Sequence, residues 1–115
     1  MYLSTCRLIF NFYTMPNYNT ELKNLREQID IIDDNICSWL ALRVHLSQTI
    51  GHLKVEHKVT EMSEKRKEKI LKRLKKIAIE KGIPRYFLQD VYKIILEHSV
   101  LTQNIIIYKN LKDDE

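Results

Sequence analysis

Apolar residues recur at spacings of three and four along most of this chain. Leu22, Leu25, Ile29, Ile32, Ile36, Trp39, Leu40, Leu46, Ile50 and Leu53 form one such stripe, the period of an amphipathic helix. Asn19 or Thr20 can cap its start, and Glu21 and Glu27 suit its early turns. Nothing interrupts it before Gly51, and a single Gly costs only about 1 kcal/mol in a helix. The pattern therefore predicts one helix from about residue 20 to 56. A polar linker follows, around His57 to Glu61. Ser63 is a second cap, ahead of Ile70, Leu71, Leu74, Ile77 and Ala78. Lys81-Gly82-Ile83-Pro84 reads as a stop, with Gly at the C-terminal cap and Pro beyond it. A third helix is predicted from Pro84, with Phe87, Leu88, Val91, Ile94, Ile95, Leu101 and Ile105 as its buried face. Residues 1–19 show no helical period and read as an irregular extension. Residues 20–111 form the helical domain, and the tail 112–115 is expected to fray.

Composition narrows the class. The chain has 115 residues, a net charge of +4, 2 Gly and 2 Pro. That is one small domain. So few turn residues disfavour an all-β sandwich or a nucleotide fold with a Gly-rich loop, leaving an all-α protein of three helices. No apolar run approaches the roughly 20 residues of a membrane span, so no membrane partner is expected. Cys6 and Cys37 make no CxxC motif and read as reduced thiols. The N-terminal segment lacks a basic leader and is broken by Arg7 and Asn11. It is a poor secretory signal, and the cytoplasm is the expected compartment.

A helix of about 37 residues is about 55 Å long, whereas a compact globule of about 100 residues has a radius of gyration near 13 Å. Two shorter helices cannot cover such a stripe, and the simplest remedy is a second copy of the chain. The expectation is a homodimer with the long helices packed together. Arg26, Arg43 and Lys54 lie on or beside the stripe. Arg43 and Lys54, eleven residues apart, share a face about 16 Å apart along the axis and can hold an anion between them. Arg26 is about 25 Å from Arg43 on the same axis, but the Arg26 of an antiparallel partner can reach it. The basic run from Lys65 through Lys76 has no interleaved aromatics, so nucleic acid is not the expected partner. Ser99 and Gln103 sit at i and i+4 on one face of the third helix. His45, His52, His57 and His98 show no metal-binding spacing, and no nucleophile-base arrangement is legible. These residues describe a basic all-α dimer that takes an anionic small molecule.

Three segments of the first helix and one of the third resemble the all-α class of chorismate mutases. They are Leu25-Arg26-Glu27-Gln28-Ile29-Asp30-Ile31-Ile32-Asp33, Leu40-Ala41-Leu42-Arg43, Ile50-Gly51-His52-Leu53-Lys54, and Ile94 through Gln103. The chain is similar to the mutase domain fused to prephenate dehydratase in enteric bacteria, from about residue 21 to 111. It ends soon after, so no dehydratase domain is expected. The resemblance implies conversion of chorismate to prephenate, an intramolecular Claisen rearrangement without nucleophile, metal or cofactor. It implies an intertwined dimer of three-helix chains in which each site takes Arg26 from one chain and the other groups from its partner. Arg26 and Arg43 would hold the two substrate carboxylates. Lys54 and Gln103 would donate to the ether oxygen, Arg66 and Ser99 would support a carboxylate, and Ile50 would be an apolar wall.

Two positions depart from that pattern. Ser63 stands where the relatives usually have Asp, and Lys67 where they have a Glu that accepts from the ring hydroxyl. A charged Lys accepts no hydrogen bond, so this substrate-binding corner is rebuilt. Three outcomes follow from the resemblance. Glu64 or another acid substitutes, or the enzyme is a weaker mutase, or the substrate differs. A different substrate would be 4-amino-4-deoxychorismate, whose amine Lys67 would repel, or isochorismate in a pyruvate-lyase reaction. Outside enzymology, the basic second helix leaves a helical binding module as the alternative.

Overall fold

The computed structural model describes residues 17–61 and 63–113. Among them are three helices and no strand: α1 (Tyr18–Glu56), α2 (Glu64–Lys81) and α3 (Arg85–Asp113). The all-α expectation holds. Of the expected extension 1–19, residues 1–16, including Cys6, lie outside the described residues. Tyr18 and Asn19 do not belong to an extension, because α1 has already begun. Its cap is neither Asn19 nor Thr20 but Asn17. The Asn17 side-chain oxygen accepts from the Asn19 N–H at 3.0 Å, and its carbonyl accepts from the Glu21 N–H at 3.0 Å. An Asn three residues upstream thus satisfies backbone donors that a later start would have left to solvent. The tail is shorter than expected, since Lys112 and Asp113 are helical and the Lys112 ammonium lies 5.1 Å from the Tyr108 ring centre.

Gly51 does not end α1. The helix stops five residues later, where Lys58 takes a left-handed φ of 56°. The Val59 N–H reaches the Lys54 carbonyl at 2.8 Å and the Lys58 N–H reaches Val55 at 3.1 Å, the paired bonds of a Schellman termination. α2 ends the same way, with Gly82 at φ 68° and the Ile83 N–H on the Ala78 carbonyl at 3.0 Å. At its start the Ser63 hydroxyl accepts from the Arg66 N–H at 3.2 Å. Pro84 closes the turn, its carbonyl accepting from the Leu88 N–H.

The chain divides into two units, Met1–Leu40 and Ala41–Glu115. In the first, the described residues are the N-terminal part of α1, where Leu25, Ile29, Ile32, Ile36 and Trp39 are exposed. In the second, the remainder of α1 packs on α3, and α3 packs on α2. Its buried apolar residues are Leu74, Ala78 and Ile107, and no large side chain is fully enclosed. The inward face of α1 here is Arg43, Ser47, Gly51 and Lys54, while Leu46, Ile50 and Leu53 of the apolar stripe are exposed. The inward face of α3 likewise differs from the expected one. Leu88 and Ile95 are half-buried, but Phe87, Val91, Ile94, Leu101 and Ile105 are exposed, and the stripe turned inward is Leu88, Tyr92, Ile95, Ser99, Gln103 and Ile107. α3 carries apolar residues nearly all round, so periodicity alone does not select a face. The hydrogen-bonding needs of Arg43 and Lys54 do.

Candidate active site

The second unit holds a cleft of about 1180 Å³. Eight of the nine expected site residues line it: Arg43, Ile50, Lys54, Ser63, Arg66, Lys67, Ser99 and Gln103. The ninth, Arg26, is not among them. It lies on an exposed part of α1 in the other unit.

Five polar side chains of α1 and α3 are joined by hydrogen bonds. The Arg43 guanidinium donates to the Ser99 hydroxyl. Ser47, only 5% exposed, donates to the same oxygen at 3.3 Å, and Ser99 gives its own proton to the Ile95 carbonyl at 3.0 Å. A serine hydroxyl has one proton and two acceptor lone pairs, so this network is complete. Ser99 thereby fixes Arg43, and its proton already has a backbone acceptor. One turn on, the Lys54 ammonium donates to Gln103 Oε1 at 2.8 Å. A lysine ammonium has no acceptor, so this bond assigns the amide oxygen to the Lys54 side. The Gln103 NH₂ group is left with its two donors on the other side. Gln103 is 9% exposed, a burial that a neutral amide tolerates when hydrogen-bonded.

Gly51 makes the α1–α3 approach possible. A Cβ built there would lie 3.3 Å from the Gln103 Cα and 3.1 Å from the Ile106 Cδ1. From the other wall, the capped first turn of α2 carries Arg66 and Lys67 to the cleft. Ser63 lines the cleft too, but its oxygen already accepts from the backbone. Five cations, Arg43, Lys54, Arg66, Lys67 and Lys93, face two carboxylates, Glu64 and Glu97. A cleft of one predominant sign concentrates ligands of the other. Among the described residues no group of three His, Cys, Asp or Glu is placed to hold a metal.

Ser47, Lys93 and Glu97 were missed by the sequence reading. Ser47 carried a usable signal, since it stands four residues after Arg43 and seven before Lys54, on the face those cations share. Lys93 and Glu97, one turn apart on α3, look like any solvated pair.

Comparison with known proteins gives the same direction. The profile of the family described as chorismate mutase type II matches residues 25–104. A bifunctional chorismate mutase/prephenate dehydratase from Buchnera aphidicola subsp. Baizongia pistaciae (strain Bp) is 35% identical over 78 residues, 68% of this chain and 21% of that protein. A protein of the same name from Buchnera aphidicola subsp. Schizaphis graminum (strain Sg) is 28% identical over 100 residues, 87% of this chain and 26% of that one. The chain thus spans about a quarter or less of the length of these curated relatives.

Proposed function

The chain belongs to the chorismate mutase type II family, and from that premise we propose that it rearranges chorismate to prephenate, a step of aromatic amino-acid biosynthesis. The observation that carries this reading is the pair of cross-helix bonds on one cleft, Arg43 to Ser99 and Lys54 to Gln103.

Chorismate carries two carboxylates, a ring hydroxyl and an enolpyruvyl ether. Its rearrangement breaks the ether C–O bond as a C–C bond forms within one molecule. The protein's tasks are to select the folded conformer and to stabilise charge as it grows on the ether oxygen. Arg43, oriented by Ser99, suits one carboxylate through its guanidinium fork, and Arg66 lies on the same cleft. Binding both carboxylates fixes the reacting ends together. Lys54 and the NH₂ of Gln103 present donors where the ether oxygen would sit, and losing one such donor typically costs about 3 kcal/mol. Because Lys54 already orients the amide, this stabilisation needs little rearrangement in the transition state. Ile50 forms an apolar wall. At the departed corner, Glu64 adjoins the capping Ser63 and lines the cleft, so it takes the role of hydroxyl acceptor that Lys67 cannot fill.

The second carboxylate falls to Arg26 of the partner subunit in a homodimer. Support comes from the exposed Leu25, Ile29, Ile32 and Ile36 beside Arg26 and from the exposed Leu46, Ile50 and Leu53. This is more contiguous apolar surface than a soluble monomer usually presents. The partners proposed are chorismate and a second copy of the chain, neither nucleic acid nor membrane. Among the described residues no helix is long and apolar enough to cross a bilayer, and the proposed compartment is the cytoplasm.

The test is chorismate consumption by purified protein with the product identified by chromatography, beside isochorismate and 4-amino-4-deoxychorismate. Prephenate as the main product is expected. Turnover of another substrate instead would make Ser63 and Lys67 the specificity switch. Inertness toward all three, with salt-sensitive DNA binding, would replace the enzyme by a binding module.

A further inference from the structure

Next to the cleft lies a second, smaller cavity of about 90 Å³. Arg43 and Arg66 line both spaces, and the small one adds Arg73 and Tyr92 over an apolar floor that includes Ile70 and Leu74. Arg66 and Arg73 stand seven residues apart on α2, two turns along nearly the same face. Among the described residues no carboxylate lines this cavity. The one ion pair among the described residues, Lys76 with Glu80, lies elsewhere on α2. Three arginines therefore line one small space, and a bound anion would offset their mutual repulsion. The space is far smaller than the cleft, about 90 Å³ against about 1180 Å³, a size that suits a small anionic group such as a carboxylate.

We propose that this annex receives one carboxylate of the dianionic substrate and that Arg73 is a substrate-binding residue completing a three-arginine cradle with Arg43 and Arg66. The inference rests on the function proposed above. It assigns a carboxylate grip to a residue that lies outside the main cleft. A carboxylate keeps its charge throughout the rearrangement, so Arg73 holds ground state and transition state alike. Its loss should act on KM rather than kcat.

The experiment measures chorismate kinetics for Arg73→Gln, Arg73→Lys and Lys76→Gln. Lys76 lies on the same helix outside both cavities, and its replacement removes the same formal charge. Circular dichroism and melting temperature in plain buffer check folding. In parallel, the melting temperature of each variant is followed against rising benzoate, a one-carboxylate probe that does not depend on turnover. Arg73→Gln should raise KM about 10- to 100-fold, the range for a charge-assisted hydrogen bond, with kcat changed less than about threefold. Arg73→Lys, which keeps the charge but not the fork, should fall between. Lys76→Gln should change KM less than twofold, and the benzoate shift should shrink only in the Arg73 variants. Equal effects of Arg73→Gln and Lys76→Gln, or an unchanged KM, would overturn the annex. If the parent protein does not turn over chorismate, the proposed function fails, and benzoate alone then decides. A shift lost in Arg73→Gln keeps the carboxylate site, and an equal or absent shift removes it.

Discussion

Gly51→Ala sets two effects of opposite sign against each other. Helix propensity favours Ala over Gly by about 1 kcal/mol in a helix interior, so an isolated α1 would gain. Packing opposes this. The new methyl would stand 3.1 Å from Ile106 Cδ1, 3.3 Å from Ile106 Cβ and 3.3 Å from the Gln103 Cα, against an optimum of about 3.5–4.0 Å between carbons. Cδ1 can swing away, but a Cα moves only with its helix. The α1–α3 spacing must open by a few tenths of an ångström, and overpacking of this kind costs about 1–3 kcal/mol. The net expectation is a loss of about 0–2 kcal/mol in urea unfolding. The larger effect falls on chemistry. Gln103 is displaced while Lys54 sits one turn beyond Gly51, so the 2.8 Å Lys54–Gln103 bond lengthens and the donors for the ether oxygen lose register. A full donor loss is worth about 10²–10³ in kcat, and partial misplacement should lower kcat about tenfold with KM little changed. A Gly51→Ala variant about 1 kcal/mol more stable than the parent, with unaltered kcat, would refute the close-approach argument.

Other substitutions address the remaining parts. Gln103→Ala should lower kcat by about 10²-fold or more while binding persists, whereas Arg43→Ala should abolish binding and turnover together, as steady-state kinetics and calorimetric titration would show. Lys58→Gly should stabilise the chain by about 0.5–1 kcal/mol in thermal melting, because it relieves a left-handed residue at the α1 terminus. Ile29→Asp with Ile36→Asp puts charge on the exposed stripe and should convert a homodimer to a monomer in sedimentation, with loss of turnover. An unaltered mass would exclude that face from assembly.

The ends of α2 were legible because they are local chemistry. Ser63 and Gly82 act through bonds to neighbours a few residues away, and the sequence pattern contains both partners. Two ends were not legible: Lys58 is left-handed at a site that usually takes Gly, and α1 is capped by Asn17 rather than by Asn19 or Thr20. The cleft residues on α2 and α3 were legible through resemblance and spacing together. Which face of α1 and α3 turns inward within a single chain was not, since the apolar stripe of α1 is the one assigned to a second copy. On both helices the apolar positions form the longer row, and a periodicity argument assigns that row to the interior. Here the smaller set, Arg43, Ser47, Gly51 and Lys54 against Ser99 and Gln103, faces inward, because hydrogen bonds across the helix pair select it. Gly51 read from sequence as a tolerated weakness, although only the neighbouring α3 explains why no side chain fits there.

Among the described residues the interior is small, with Leu74, Ala78 and Ile107 as the buried apolar side chains. A domain whose greasy surface is mostly left outside has little folding free energy of its own, and whatever covers that surface becomes part of its thermodynamics. If that cover is the second copy proposed above, folding and association merge into one bimolecular equilibrium. The melting temperature should climb with protein concentration, and the active fraction in a cell would track how much of the chain is synthesised. The expression level becomes a determinant of specific activity, and dilution alone acts as a denaturant.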